Sequence, residues 1–175
     1  LRWGILGAAG IARKNWKALY HSGNNVVTAV AAREVARAQQ FIRECQAQFA
    51  FDPAPKALGS YEQLLASPDV DAVYIPLPTA LRKEWVIRAA QAGKHVLCEK
   101  PCAVNAADLR EMIAACAKHR VQFMDGVMFM HSPRLPAVRG ILDDAKRIGP
   151  IRRIESMFSF AGDETNFHAN IRVQN

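Results

Sequence analysis

The sequence predicts an α/β fold in which a doubly wound parallel sheet carries helices on both faces. Short runs of β-branched and other apolar residues alternate with longer stretches that repeat apolar residues at helical spacing. Most of the short runs are apolar almost throughout, which is typical of strands covered on both sides. After residue 149 this alternation gives way to a pattern that favours a different kind of sheet. Strands and helices in this order form βαβ units.

The first part of the chain supplies two strand–helix pairs. The run RWGILG predicts a strand that ends at Gly7, and residues 10–22 follow with apolar side chains at helical spacing. NVVTAVAA, at residues 25–32, predicts a second strand. Residues 34–49 then predict a helix with a buried face made of Val35, Ala38, Phe41, Ile42 and Cys45.

The middle of the chain repeats the pattern. Residues 56–60 predict a weak extended piece before a short helix at 61–67, where Ser60 and Gln63 fit a capping box. The run VDAVYIPLP predicts a third clear strand at residues 70–78. Its two prolines close it, because proline cannot pair within a central strand.

Two helices flank the next strand. Residues 80–92 predict a helix that stops at Gly93. HVLCE, at residues 95–99, predicts a strand. Asn105 then predicts the N-cap of a helix at 106–119.

The final third of the chain contains the expected domain border. VQFMDGVMF at 121–129 predicts a strand, and residues 133–145 predict a helix. The segment that follows predicts a strand with one buried face, from the alternation of Ile151, Ile154, Ser156, Phe158 and Phe160. We therefore expect the parallel-sheet domain at 1–126 and, at 127–175, a linker helix and the truncated start of an α+β antiparallel sheet domain. That start is too short to form a core of its own.

Composition argues against two classes of partner. The formal net charge is +7, but the basic residues are dispersed and form no stripe interleaved with aromatic residues. No apolar stretch approaches the roughly 20 residues that span a bilayer. We expect neither a nucleic-acid partner nor a membrane. A modest positive field would equally suit a phosphate-bearing cofactor.

The cysteines favour a reducing compartment. Cys45, Cys98, Cys102 and Cys116 are scattered and lack paired CxxC spacing. We predict reduced thiols in a cytoplasmic protein instead of a disulfide framework. No histidine cluster accompanies the cysteines, so no metal site is predicted.

The first strand–helix turn resembles a dinucleotide-binding fingerprint. The pattern G-x-G-x-x-G/A falls on Gly7, Ala8, Ala9, Gly10, Ile11 and Ala12, with alanine at the second glycine position. Gly7 would make the tight turn, and the helix N-terminus would supply free N–H groups to a pyrophosphate. The alternative is a glycine turn that binds nothing.

The end of the second strand favours NADP over NAD. An NAD site would place Asp or Glu there, whereas this chain has Ala32-Arg33-Glu34, with Arg37 one turn further on. An arginine can pair with a 2′-phosphate and stack on adenine. Two alternatives stay open. Arg33 can be a solvated helix-start residue, and Glu34 can face the ribose, which would favour NAD.

Three strand ends should converge on one crevice, because ligands bind at the carboxyl edge of such a sheet. They are Gly7–Ala12, Pro76–Thr79 and Glu99–Pro101. Beside a nicotinamide, the Lys100 amine could hydrogen-bond a substrate hydroxyl and handle its proton. Glu99 either orients Lys100, touches the cofactor or ends the strand in a salt bridge. Pro101 would stiffen the backbone that aims the lysine.

These motifs resemble one known family. The segments GILGAAGIA, VTAVAAR, SYEQLLASPDVDAVYIPLPTALRKEWVIRAAQAGKHVLCEKPCAVN and FMDGVMFMHSPRL resemble the glucose–fructose oxidoreductase / inositol dehydrogenase (Gfo/Idh/MocA) family, with the dimeric dihydrodiol dehydrogenase-like branch most similar. The resemblance implies a Rossmann domain followed by an antiparallel sheet domain that forms the substrate pocket and often the dimer face. It implies an NADP-dependent oxidoreductase that transfers hydride between nicotinamide and a secondary alcohol or ketone of a sugar, cyclic polyol or dihydrodiol. It also implies a homodimer or higher homo-oligomer.

The resemblance also assigns residues. It makes Lys100 catalytic, and it makes cofactor contacts of Gly7 to Ala12, Arg33, Leu77, Pro78, Thr79, Glu99 and Lys100. Arg134 matches a position near the substrate or nicotinamide. His131 could approach the same site, or it can be structural. Arg82 departs from the family pattern, which often has histidine there, and the second proton-handling residue is expected beyond Asn175.

Two other hypotheses remain compatible with the sequence. The protein can be a non-catalytic NADP-binding sensor, since the fold alone does not decide function. Alternatively, the 175-residue chain can be a truncated cofactor-binding fragment that does not turn over. Lys100 favours the enzyme, because a pure binding module needs no amine at the nicotinamide end.

Overall fold

The computed structural model describes residues 1–159. The chain divides into two compact units, Leu1–Met130 and the residues from His131 onward. The first unit is built on a six-stranded sheet in the order β3-β2-β1-β4-β5-β6, and every neighbouring pair is parallel. The predicted doubly wound α/β fold is therefore confirmed.

The elements follow the predicted order. The strands are β1 Arg2–Leu6, β2 Val26–Ala31, β3 Lys56–Leu58, β4 Ala72–Ile75, β5 His95–Cys98 and β6 Phe123–Asp125. The helices are α1 Ala12–His21, α2 Val35–Gln46, α3 Tyr61–Ala66, α4 Thr79–Gln91, α5 Ala106–Lys118 and α6 Arg134–Leu142, with a 3₁₀ turn at Met128–His131. The strand order reverses between β1 and β4, and a ligand crevice opens at such a switch point.

The sheet has a packed core on each face. One core includes Leu6, Val73 and Ile75 against α3, α4 and α5. The other core includes Ile5, Val30 and Tyr74, together with α1 and α2. Because both faces are covered, all four residues of β4 are buried. This explains why the strand sequences are continuously apolar.

The predicted helix boundaries have the expected chemistry. The Ser60 hydroxyl accepts a hydrogen bond from the backbone N–H of Gln63 at 3.1 Å, so it caps α3. The Asn105 side chain accepts one from the N–H of Asp108 at 2.9 Å and caps α5. Gly93 follows α4 with φ +72°, in the left-handed region that favours glycine.

Two local predictions were wrong. β6 covers three residues instead of the predicted 121–129, because β5, its neighbour within residues 1–159, ends at Cys98, which pairs with Asp125. Val35 was expected in the core but is 43% exposed. It lies in the first turn of α2, and a helix that follows a parallel strand begins beyond the strand's carboxyl end.

The second unit carries α6 and an irregular segment. Residues 151–159 form no strand, whereas a strand was predicted from Ile151 to Phe160. A strand needs a neighbour for its backbone N–H and C=O groups, and the described part of this unit contains none. Phe160 and later residues lie outside the described part, so the start of an antiparallel domain at 127–175 stays a prediction. Within residues 1–159, no helix combines the length and hydropathy needed to cross a membrane.

Candidate active site

The turn after β1 is shaped by Gly7. Its φ is +113°, a conformation that side-chain-bearing residues rarely adopt. Its N–H donates to the carbonyl of Ala31 at 2.8 Å, and a Cβ at this position would lie 3.0 Å from Cδ2 of Leu77. The turn therefore needs glycine both for its backbone angle and for the close approach of the β4 loop.

The same turn presents unpaired backbone donors. The N–H of Ala9 donates to the Gly7 carbonyl, while within residues 1–159 those of Ala8, Gly10 and Ile11 have no protein acceptor. These groups precede α1, where the helix dipole adds a partial positive charge. This combination suits a phosphate group.

The fingerprint positions differ in their surroundings. Ala8 and Ala9 are half-buried beside the turn, whereas Ile11 is exposed. Ala12, the first residue of α1, is fully buried, as the third small residue of the fingerprint should be. A Cβ at Gly10 would meet nothing within 4 Å, so the protein itself does not require glycine there.

An open crevice of about 150 Å³ lies at the switch point of the sheet. It brings together the first turn and the end of β4, as predicted, with the end of β2, whereas the third predicted strand end, Glu99–Pro101, does not line it. Its lining residues are Gly7, Ala8, Ala9, Ala32, Arg33, Glu34, Arg37, Tyr61, Pro76, Leu77 and Pro78. Of the other predicted cofactor residues, Gly10, Ile11, Ala12, Thr79, Glu99 and Lys100 do not line it.

Two guanidinium groups edge this crevice. Arg33 and Arg37 are exposed, and within the described part of the chain neither side chain has a hydrogen bond or ion pair. Glu34 is also exposed, unpaired and on the lining, so both proposed selectors of the cofactor face the same space. The prediction that Arg33 outweighs Glu34 stays open.

Tyr61 also lines the crevice, although the sequence pattern had not indicated it as a site residue. It begins α3 and packs edge-on against Trp85, with ring centroids 4.9 Å apart. Burial raises the pKa of its hydroxyl, and the positive charges of Arg33 and Arg37 partly offset that shift. The available signal was its place just after β3, because β3 ends at the same sheet edge as β2.

Glu99 turns its carboxylate into the protein. It is 8% exposed, and its Oε1 accepts a hydrogen bond from the Tyr74 hydroxyl at 2.8 Å. Its Oε2 accepts one from the backbone N–H of Lys100 at 3.1 Å. The pKa of the Tyr74 hydroxyl lies far above its usual value. Burial is the larger cause, and the neighbouring Glu99 carboxylate adds to it. No ion pair reaches Glu99 in the described residues, so the interpretation as a salt-bridged strand terminus is wrong.

Lys100 carries the free amine of the site. Its side chain is exposed, and within residues 1–159 its Nζ has no hydrogen-bond or ion-pair partner. The peptide bond to Pro101 is cis. Lys100 follows β5, which pairs with β4 on the side away from β1, so it lies further along the same sheet edge. Adjacent strands are roughly 5 Å apart.

Two further residues support the Lys100 loop. Arg82 of α4 is 7% exposed and donates to main-chain carbonyls on both sides of Lys100. The N–H of Gly126 donates to the Cys98 carbonyl at 2.8 Å, and a Cβ at Gly126 would lie 3.3 Å from Cα of Glu99. Sequence reasoning missed Gly126, although a glycine directly after β6 was a signal.

The remaining candidates are two residues of the second unit and the four cysteines. His131 and Arg134 are exposed residues of the second unit, and the Nε and backbone N–H of Arg134 both donate to Ser132 Oγ at 3.3 Å. Their approach to a substrate stays a prediction. All four cysteines are free thiols. Across residues 1–159, no cluster of three or more His, Cys, Asp or Glu could hold a metal.

The fold and this edge together define a dinucleotide-binding domain of the Rossmann type. The strand order, the positive-φ glycine turn with open amides and the crevice at the switch point are its features. Residues 1–127 match the oxidoreductase family with an NAD-binding Rossmann fold. The chain belongs to this family, the Gfo/Idh/MocA oxidoreductases, as its motifs indicated.

Known relatives span several substrates. A trans-1,2-dihydrobenzene-1,2-diol dehydrogenase from Mus musculus is 38% identical over 162 residues, which cover 91% of this chain and 46% of the relative. A dTDP-3,4-didehydro-2,6-dideoxy-alpha-D-glucose 3-reductase from Actinomadura kijaniata is 37% identical over 160 residues, with the same two coverages. The chain therefore spans less than half the length of these curated relatives.

A solved structure shares the fold. The crystal structure of a 3-ketoreductase from Actinomadura kijaniata, in complex with TDP-benzene and NADP, matches with a TM-score of 0.74 and 36% identity. The match covers 83% of this chain and 44% of that chain.

Proposed function

We propose that this chain is the cofactor-binding part of an NADP-dependent oxidoreductase. The substrate would be a secondary alcohol or ketone of a sugar, cyclic polyol or dihydrodiol. Family membership supports the reaction type. The matched relatives support the substrate class, because they include a sugar 3-reductase and a dihydrodiol dehydrogenase.

The cofactor would bind at the crevice at the switch point of the sheet. The open amides of Ala8, Gly10 and Ile11 would hold the pyrophosphate, and the adenosine end would lie against the crevice lined by Arg33 and Arg37. Arg33 and Arg37, both without protein partners in residues 1–159, would pair with the 2′-phosphate. A bound nicotinamide supplies the group that gives or accepts hydride.

Lys100 would manage the substrate oxygen. Its free amine follows the strand next to β4, on the edge that carries the crevice, and this is the observation that carries the proposal. The ammonium would donate a hydrogen bond to the substrate oxygen and give it a proton as the ketone carbon is reduced, and in the oxidation direction the neutral amine would take the proton of the hydroxyl. Glu99 fixes the main chain from which this side chain extends.

The lysine role is tested by turnover. Full-length protein is assayed with NADPH and a panel of sugar ketones, and with NADP and dihydrodiols, comparing wild type with Lys100→Met. Loss of a positioned proton donor should lower kcat/KM by about 100-fold or more. Lys118→Met, at an exposed position that ends α5, is the matched control and should match wild type. Tight NADPH binding without any turnover would instead favour the sensor.

Cofactor choice is tested by titration. Arg33→Asp should weaken NADPH binding by about 10- to 100-fold and NADH binding much less, because only NADPH carries the extra phosphate. Arg43→Asp, an equal charge reversal near the other end of α2, should leave both affinities nearly unchanged. The reverse order of effects would make Glu34 the selector.

Assembly and location follow from the family resemblance. We propose a homodimer or higher homo-oligomer of the full-length enzyme in the cytoplasm, which its four free thiols support. Light scattering and cell fractionation of the full-length protein test these two points. A monomer, or a protein found in an oxidising compartment, would contradict them.

A further inference from the structure

Arg82 lies at the centre of the loops that form the sheet edge. It is in the first turns of α4, and its guanidinium is almost completely buried. Its Nε donates to the Leu77 carbonyl at 2.6 Å, and its Nη1 donates to the Glu99 carbonyl at 2.7 Å and also to the Pro101 carbonyl. One side chain therefore joins the loop after β4 to the loop after β5.

The two carbonyls bound by Nη1 flank Lys100 directly. Apart from Arg82, the Glu99 carbonyl receives only a long contact from the Cys98 thiol, at 3.7 Å, and within the described residues the Pro101 carbonyl has no other donor. On the N–H side of the segment, Glu99 donates to the Ile75 carbonyl at 3.2 Å and Lys100 donates to Oε2 of Glu99 at 3.1 Å, whereas Pro101 has no N–H group. The guanidinium therefore holds the carbonyl side of the segment.

The geometry of the guanidinium group, and not only its positive charge, suits this role. No carboxylate lies within ion-pair distance of Arg82 in residues 1–159, so its contacts are hydrogen bonds to neutral carbonyls. A planar guanidinium presents several donors in fixed directions, whereas a lysine ammonium is a compact group on a flexible stem. A lysine at this position would keep the charge but could not reproduce the geometry of all three bonds.

We propose that Arg82 is a positioning residue for catalysis, which holds the main chain on both sides of Lys100 so that the amine meets the substrate oxygen. The inference rests on the proposed function, since it assumes that Lys100 takes part in the reaction. Arg82 also ties Leu77, which packs under Gly7, to the same loop.

The structural half of the proposal is tested by hydrogen–deuterium exchange on the full-length protein. Arg82→Lys should speed exchange of the peptide containing residues 98–102 at least several-fold, while peptides from β1 and β2 keep the wild-type rate. Arg88→Lys, a change of the same type in the last turn of α4, should leave exchange at 98–102 unchanged. Unchanged exchange in Arg82→Lys would overturn the proposal whether or not the protein is an enzyme.

The catalytic half is tested by a double-mutant cycle. Arg82→Lys should lower kcat by about 10-fold or more with the NADPH dissociation constant changed less than about threefold, since positioning is lost without loss of cofactor contacts. In a Lys100→Met background the same substitution should no longer change kcat, because its effect acts through Lys100. Equal losses in both backgrounds would mean that Arg82 is merely structural, and would overturn the proposal.

Chemical rescue gives an independent readout. In Arg82→Ala, millimolar guanidinium ion should restore part of the lost kcat, whereas methylammonium of equal charge should not. Rescue by both cations would assign the effect to charge and overturn the positioning role. A wild-type protein without any turnover would contradict the proposed function instead, and the exchange experiment would still decide what Arg82 holds.

Discussion

Tyr74→Phe removes one buried hydroxyl and tests how the lysine loop is anchored. Tyr74 is fully buried in β4, and its hydroxyl donates to Oε1 of Glu99 at 2.8 Å across to the end of β5. Phenylalanine keeps the ring and its packing. The substitution therefore removes the hydrogen bond between two adjacent strands, together with the interaction of the same hydroxyl with the Asn15 side chain.

The expected cost follows from the charge and burial of the acceptor. Hydrogen bonds to charged groups contribute about 1.5–3 kcal/mol, and a buried carboxylate that loses a donor is left poorly solvated. Glu99 would keep only the N–H of Lys100 on its other oxygen. We expect the free energy of unfolding to fall by about 2 kcal/mol, which corresponds to a melting temperature roughly 4–8 °C lower.

The assay is urea unfolding of the 175-residue chain, followed by circular dichroism at pH 7. Tyr20→Phe is the matched control, because Tyr20 is 42% exposed and its hydroxyl has no hydrogen bond within the described residues. That variant should lie within about 0.5 kcal/mol of wild type. If both substitutions cost the same small amount, the Tyr74–Glu99 bond does not anchor the loop and the reasoning fails.

Three other substitutions or reactions test different parts of the domain. Gly7→Ala should cost about 2 kcal/mol in the same unfolding assay because of its positive φ, whereas Gly10→Ala should be neutral; equal effects would contradict this assignment of the turn. A paired arginine lowers the pKa of Asp71 to about 2, so Asp71→Asn should cost up to about 1 kcal/mol above pH 4, and most of this difference should be lost as the pH falls through about 2. A difference that is undiminished at pH 2 would refute the ion-pair explanation. Cys102 should react with iodoacetamide before Cys116, because a neighbouring thiol lowers the pKa of the first and burial raises that of the second; peptide mass mapping that finds Cys116 labelled first would contradict this order.

The order of elements was predictable because each depends on local pattern. The four-residue strand β4 is apolar at every position, and Ser60 and Asn105 carry their own capping chemistry. The convergence of the first turn with the end of β4 was also predictable, because parallel strands place all carboxyl ends at one edge. The ends of the strands were less predictable, because the length of β6 depends on where the neighbouring strand β5 ends.

Individual contacts of the site were not predictable to the same degree. The sequence allowed Glu99 three roles and did not indicate its hydrogen-bond partner Tyr74, which is 25 positions away in the chain. Arg82 stood out only as a departure from a family pattern. Its contacts became clear once α4 was packed over the two loops that it bridges.

By itself, the sequence determined the alternation of strands and helices, the glycine turn after β1 and the placement of a lysine at the end of β5. These features depend on residue spacing and backbone preference, which act over a few neighbouring residues. The tertiary structure decided that Glu99 faces inward, that Lys100 stays exposed with a free amine and that Arg82 holds the main chain beside it. Those outcomes depend on which donors meet which acceptors between adjacent strands, and segments distant in the chain meet only in the folded sheet.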